Sequence, residues 1–330
     1  MSVELQGTVA QHHHLIDEDT KVGEARRDAL RLAQAHGLDA TVCGRVAIVV
    51  TELANNLLQH GGGGELLLQP IVSGTAILIE VLALDRGRGM QNVQRCLDDG
   101  YSTGGTPGTG LGAVRRLAAE FDVYSIADAG TVVMARVGAG NAARFGAVSV
   151  PMAGEGECGD SWRIATEGDT TAVLVVDGLG HGPLAAQAAQ CSTAAFGEAP
   201  FEAPRRVIER LHQRLAGTRG AAAACALIDP RGPLCYAGIG NISASLVTPD
   251  KAQGLASHNG TLGLRMPRVQ QFEYQRPARS MIVMHSDGIS ARWDLARKQD
   301  LMQRHPATIA AVLYRDHKRE RDDATVLVLA

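Results

Sequence analysis

Apolar positions along the chain change their spacing several times, and the changes mark out its elements. Residues 19–36 and 39–59 repeat apolar side chains at the three-and-four spacing of an amphipathic helix. Short apolar runs then take over: "GELLLQPIV", "TAILIEVLAL", "FDVYSIA" and "TVVMARV" read as strands. Two helices followed by four strands predict an α/β sandwich over the first half. The texture breaks at "GAGNAA", residues 138–143, which reads as a linker. Beyond it strands dominate: "FGAVSVP", "DSWRIAT", "TAVLVVDG", "AACALID", "PLCYAGIG", "SASLVT", "SMIVMHSD" and "TVLVLA". Helical spacing returns over residues 182–195 and 203–215, which predicts packed sheets covered by helices. The expected division is a domain over residues 1–138 and another over residues 144–330.

Composition narrows the function classes. The 330 residues are 45% hydrophobic, enough for a core in each half, and the net charge is -3 from 32 basic and 35 acidic residues. No basic block suggests a nucleic-acid surface. The apolar runs are too short to span a bilayer, and the start "MSVELQGTVAQHHHL" lacks the regions of a signal peptide, so a cytoplasmic protein without membrane contact is expected. Six cysteines without a C-x-x-C pair fit reduced thiols better than a zinc site or a disulfide framework. The run His12 to His14 could bind a metal, but it reads better as a short loop without partner ligands.

Three signals in the first half carry chemistry together. In "TELANNLLQH", Glu52 and Asn56 stand one helical turn apart on one face. Such a pair can hold Mg²⁺ through the amide and activate a hydroxyl through the carboxylate, although alone it also fits a solvated helix. "DRGRGM" places Asp85 after a buried strand, with Gly87 and Gly89 allowing backbone to approach a ligand. "GTPGTGLGAVRRLAAEF" is a glycine-rich loop opening a helix, where free N–H groups suit a polyphosphate.

In this order the trio resembles the GHKL ATP-binding fold, in its serine-kinase branch of RsbT, RsbW and SpoIIAB type, nearest the RsbT kind. The resemblance implies an α/β sandwich that binds ATP with Mg²⁺. It implies Asn56 as the Mg²⁺ ligand, Glu52 as general base, Asp85 on the adenine amine, and Gly108, Gly110 and Gly112 in a lid over the phosphates.

The second half offers four aspartates at strand ends. Asp160 stands in "ECGDSW", Asp177 in "VVDGLGHG", Asp287 in "MHSDGIS" and Asp322 in "ERDDATVLVL". Each alone fits ordinary turn chemistry. Together they suit hard divalent cations, two of which can share a nucleophilic water and clamp a phosphate. The motifs resemble the PPM phosphatases, SpoIIE-like branch, nearest the RsbX kind. That implies an α-β-β-α sandwich with two Mn²⁺ or Mg²⁺ ions: Asp177 bridging both, the Gly178 carbonyl on one, Asp287 and Asp322 on the other, and Asp160 holding a water shell. Asp323 is expected as a neighbour rather than a ligand. His181 and Asn241 fit site-shaping and plain turn roles equally, and no arginine declares itself for the substrate phosphate.

The combination predicts a two-domain α/β regulator that both phosphorylates and dephosphorylates a serine or threonine. Its expected partner is a STAS-domain switch protein, an anti-sigma antagonist or stressosome component. A second reading keeps the phosphatase and makes the first domain a non-catalytic ATP sensor or a site for an anti-sigma partner.

Overall fold

The computed structural model describes residues 4–7, 11–73, 76–97, 110–140, 144–230, 232–266 and 268–330. Two compact units emerge, one of residues 11–143 and one of residues 144–330 together with residues 1–10. The break between them falls between residues 143 and 144. The first ten residues do not follow the expected boundary: strand β1 (Glu4–Gly7) is an edge strand in a sheet of the second unit. Four residues carry too little pattern to reveal a partner so distant in sequence.

In the first unit, β2 (His12–Ile16) leads into α1 (Asp19–Ala35) and α2 (Ala40–Asn56). Then come β3 (Gly64–Ser73), β4 (Ala76–Leu84), α3 (Val93–Leu97), α4 (Gly110–Leu117), β5 (Glu120–Ile126) and β6 (Gly130–Ala139). The sheet order is β2-β3-β4-β6-β5, antiparallel throughout. Asp39 caps α2 by accepting from the Val42 N–H at 2.9 Å. The helix then turns Val46, Val49, Val50 and Leu53 into the core with Leu66, Leu68, Val81 and Val133 of the sheet. Leu53 is fully buried, so Leu53→Ala would cost about 2–5 kcal/mol. Residues 40–61 are long and apolar enough to cross a membrane, yet their apolar face lies in this core.

The histidine run is a strand, not a loop. His12 to His14 pair with Leu68 to Leu66 of β3. The His12 and His14 rings both meet Asp28 of α1, at 2.7 and 2.8 Å, and His13 meets Glu65 at 3.0 Å. These carboxylates sit too far along the chain for local spacing to pair them with the run.

The second unit stacks two sheets between helices. Its elements are β7 (Phe145–Val150), β8 (Asp160–Glu167), β9 (Thr170–Gly178), α5 (Pro183–Glu198), α6 (Pro204–Arg214), β10 (Ala221–Ile228) and β11 (Leu234–Ile239). They continue with β12 (Ser243–Val247), β13 (Ala252–Gly254), β14 (Phe272–Tyr274), β15 (Met281–His285), α7 (Gln299–Met302), α8 (Pro306–His317) and β16 (Ala324–Leu329). One sheet runs β1-β8-β9-β10-β11-β14 and the other β13-β12-β15-β16-β7. Helices α5 and α6 cover the first sheet, and α8 covers β7 and β16 of the second. This is the α-β-β-α sandwich that the motifs imply, and the first unit is the expected α/β sandwich.

Candidate active sites

The acidic site of the second unit follows from strand register. Antiparallel pairing of β8 with β9 sets Asp160 directly opposite Asp177. Asp160 is buried and accepts from the Ser286 hydroxyl at 2.5 Å, while that same hydroxyl oxygen accepts from the Thr325 N–H at 3.0 Å. Ser286 thereby ties the start of β8 to the sheet of β15 and β16. Asp177 ends β9, Asp287 follows β15, and Asp322 precedes β16. Asn241, in the turn after β11, donates to Asp287 at 2.6 Å and to Asp177 at 3.3 Å. The two sheets thus bring all four predicted aspartates to one end of the sandwich.

Electrostatics sharpen the picture. Burial, then the charges of Asp287 and Asp322, push the Asp177 carboxyl up to about 7. Burial followed by the Asp287 charge raises Asp322 to about 6. Burial and the neighbouring Asp177 hold Asp160 well above the ordinary carboxylate range. Among the described residues, no three His, Cys, Asp or Glu side chains close around one point as a metal cage. They form instead a wall of mutually repelling oxygens, the donor set that a hard divalent cation relieves.

Asp323 differs from its neighbours. Its two carboxylate oxygens accept from the Met152 and Gly159 N–H groups, at 2.7 and 2.8 Å. It fastens the segment between β7 and β8, which fits the expected neighbour role. Gly178 allows α5 to begin against the site, since a Cβ there would lie 2.2 Å from the Ala185 carbonyl oxygen. His181 pairs with Glu155 at 2.7 Å.

The nucleotide motifs gather at one end of the first unit. Asp85 directly follows β4, and its Oδ1 accepts from the Gly87 N–H at 2.8 Å and from the Thr131 N–H at 3.1 Å, which fixes the carboxylate. Gly89 takes a left-handed backbone, φ 62°, against the Ile126 carbonyl. The chain after Asn56 continues in a π-helical turn, Leu57–Gly61, whose last glycine lies against Asp85. Asn56 Nδ2 is buried without a hydrogen-bond partner among the described residues, and its Oδ1 lies 3.8 Å from the position a Gly110 Cβ would occupy. An unspent buried amide at the opening of α4 fits a polar ligand there. Gly112 is buried inside α4, and Gly108 lies outside the described residues. Glu52 lines an open groove between α1 and α2 with Arg26, Gln34 and Ile48.

Comparison with known proteins agrees with both halves. The histidine kinase-like ATPase domain model matches residues 16–137, and the model for stage II sporulation protein E (SpoIIE) matches residues 167–330. The chain is 30% identical over 111 residues to the serine/threonine-protein kinase RsbT of Bacillus subtilis (strain 168), which spans 34% of this chain and 84% of RsbT. The chain belongs to the RsbT family and carries a SpoIIE-type PPM domain behind it.

Solved structures align with about half of the chain. One, from work on the bacterial stressosome as a modular system controlling second-messenger signalling, is 26% identical with a TM-score of 0.52, covering 56% of this chain and 97% of that one. RsbX in complex with magnesium is 22% identical with a TM-score of 0.50, covering 55% of this chain and 92% of RsbX. By class, this chain joins a PPM-type phosphatase domain to a serine-kinase-type domain, the combination of a partner-switching regulator.

Proposed function

We propose that the chain sets the phosphorylation level of a STAS-domain switch protein by opposing activities, the first unit adding phosphate to serine or threonine and the second removing it. The observation that carries the reading is the meeting of Asp160, Asp177, Asp287 and Asp322 at one end of the second unit, with Asn241 spanning Asp177 and Asp287. Two Mn²⁺ or Mg²⁺ ions would be held by Asp177, the Gly178 carbonyl, Asp287 and Asp322, with Asp160 behind them. Such ions supply a nucleophilic water at neutral pH and neutralise the phosphate. The chain's own part is to fix the carboxylates: Ser286 holds Asp160, Asn241 holds Asp287, and Asp323 holds the loop that enters β8.

In the first unit, Asn56 would bind Mg²⁺ of ATP, Asp85 the adenine amine, and Glu52 would take the proton of the attacking hydroxyl. Gly87, Gly89, Gly108, Gly110 and Gly112 would let backbone close on the nucleotide. The partner is a STAS-domain protein, an anti-sigma antagonist or stressosome component, and the six unpaired cysteines support a reducing compartment such as the cytoplasm. A second reading, in which the first unit binds ATP without transferring phosphate, is favoured by Glu52 lying in the α1–α2 groove.

The test is incubation of the full chain with labelled ATP and purified STAS-domain proteins, with and without Mn²⁺. Transfer without Mn²⁺ and loss of label on adding Mn²⁺ is the expected result. Label that never appears on any partner removes the kinase half, and label that Mn²⁺ never releases removes the phosphatase half.

A further inference from the structure

The sequence motifs supply no arginine for the substrate phosphate, but the register of β9 with β10 does. The ladder pairs Asp177 with Ala222 and Gly178 with Ala221. It is continued by the Leu179 N–H, which donates to the Gly220 carbonyl at 3.0 Å. The next residue back from Gly220 is Arg219, so the register brings it opposite Gly180, three residues past Asp177. Its guanidinium Nη1 lies 3.1 Å from where a Gly180 Cβ would stand, in the space a side chain would fill. Gly180 has φ 87°, the left-handed backbone that favours glycine. Arg219 is exposed, and no ion pair or side-chain hydrogen bond engages it among the described residues.

An unpaired cation against the loop that follows Asp177 and Gly178 is a pairing opportunity the fold leaves unused. The other side of the same loop is spent, because His181 is held by Glu155 at 2.7 Å. Large apolar side chains flank the arginine: Leu179 is 51% exposed and Leu264 is 59% exposed, and Leu264 Cγ lies 3.3 Å from the position of a Gly220 Cβ. Exposed leucines on either side of a free guanidinium form a surface that is apolar at its flanks and cationic at its centre. A phosphoserine between apolar neighbours has the complementary character.

We infer that Arg219 binds the phosphate of the substrate phosphoserine, and that Leu179 and Leu264 hold apolar residues flanking it. This rests on the phosphatase reading of the acidic site. The guanidinium offers paired donors to phosphate oxygens, a geometry that a lysine ammonium does not reproduce. Arg219 is therefore a substrate-binding residue, and its loss falls on affinity more than on turnover.

The experiment uses the full chain with Mn²⁺ and three probes: p-nitrophenyl phosphate, inorganic phosphate, and phosphoserine peptides with leucine or glutamate flanks. Arg219→Gln should raise KM for p-nitrophenyl phosphate roughly tenfold or more while kcat changes by less than about threefold, with Arg219→Lys in between. Calorimetry should show inorganic phosphate binding weakened by a similar factor. Leu179→Ser and Leu264→Ser should abolish the preference for leucine-flanked over glutamate-flanked phosphoserine peptides, read as the ratio of kcat/KM for the two. Unaltered KM and unaltered phosphate binding in Arg219→Gln would overturn the role of Arg219, and an unaltered peptide preference in the leucine variants would overturn theirs. The calorimetric arm needs no turnover, so an inactive wild-type chain would defeat the phosphatase reading while Arg219 is still decided by phosphate binding.

Discussion

Asn241 donates its side-chain amide to Asp287 at 2.6 Å, joining the turn after β11 to the turn after β15 across the two sheets of the second unit. The same amide reaches Asp177 at 3.3 Å. A neutral donor between two anions offsets their repulsion and fixes their orientation, as partners of metal ligands do. Asn241→Ala should therefore weaken Mn²⁺ affinity and phosphate release by roughly 10- to 100-fold without unfolding the chain. Mn²⁺ titration monitored by phosphatase rate and by calorimetry checks this; wild-type affinity in the variant would reduce Asn241 to a turn residue.

Strand β1 makes the second unit depend on the first residues of the chain. Glu4 to Gly7 pair with Thr166 to Arg163 of β8, covering one edge of that sheet. A chain lacking residues 1–10, or a fragment beginning at residue 144, leaves β8 as an unprotected edge, the kind that pairs with other molecules. Both should melt at lower temperature than the full chain and self-associate more readily. Thermal unfolding and light scattering of the shortened chains test this, and unchanged melting would show that β1 adds nothing to the unit.

His285 gives the second unit a dependence on acid. Its Nδ1 meets the Ser286 carbonyl at 2.8 Å and its Nε2 accepts from the Trp293 indole at 3.2 Å, an arrangement of the neutral ring with the proton on Nδ1. Burial, foremost, holds its pKa below the ordinary 6.5. A depressed folded pKa gives stability that is present above the unfolded value of about 6.5 and is lost as pH falls through the folded value. The raised aspartates are common to wild type and His285→Gln, so the difference between the two isolates the histidine: in urea unfolding followed by tryptophan fluorescence, wild type should lose stability relative to His285→Gln as pH falls below about 6.5.

Much of this was legible in the sequence because both units are built from strands whose apolar runs are bounded by turn residues, and because the chemistry sits at strand ends. The four aspartates are read as a set from their places in "CGDSW", after "VV", after "MHS" and ahead of "TVLVL", and the fold brings them to one end of the second unit. Helix α8 was not legible by periodicity: residues 306–315 are all buried, so no polar face alternates with an apolar one. Pro306 at its first position and His305 capping the Ala307 N–H are the signals that could have found it. Arg219 has no motif at all. Its position is a consequence of strand register, and register between strands separated by two helices is not written in local spacing.

The proposal that opposed activities share one chain is tested most directly by the phosphorylation level of a single STAS-domain partner at steady state, with ATP, Mg²⁺ and Mn²⁺ present. Three proteins are compared: wild type, Asp177→Asn and Asn56→Ala. The account predicts an intermediate level with wild type, accumulation of phosphoprotein with Asp177→Asn, and a fully dephosphorylated partner with Asn56→Ala. The same level with all three proteins would contradict it.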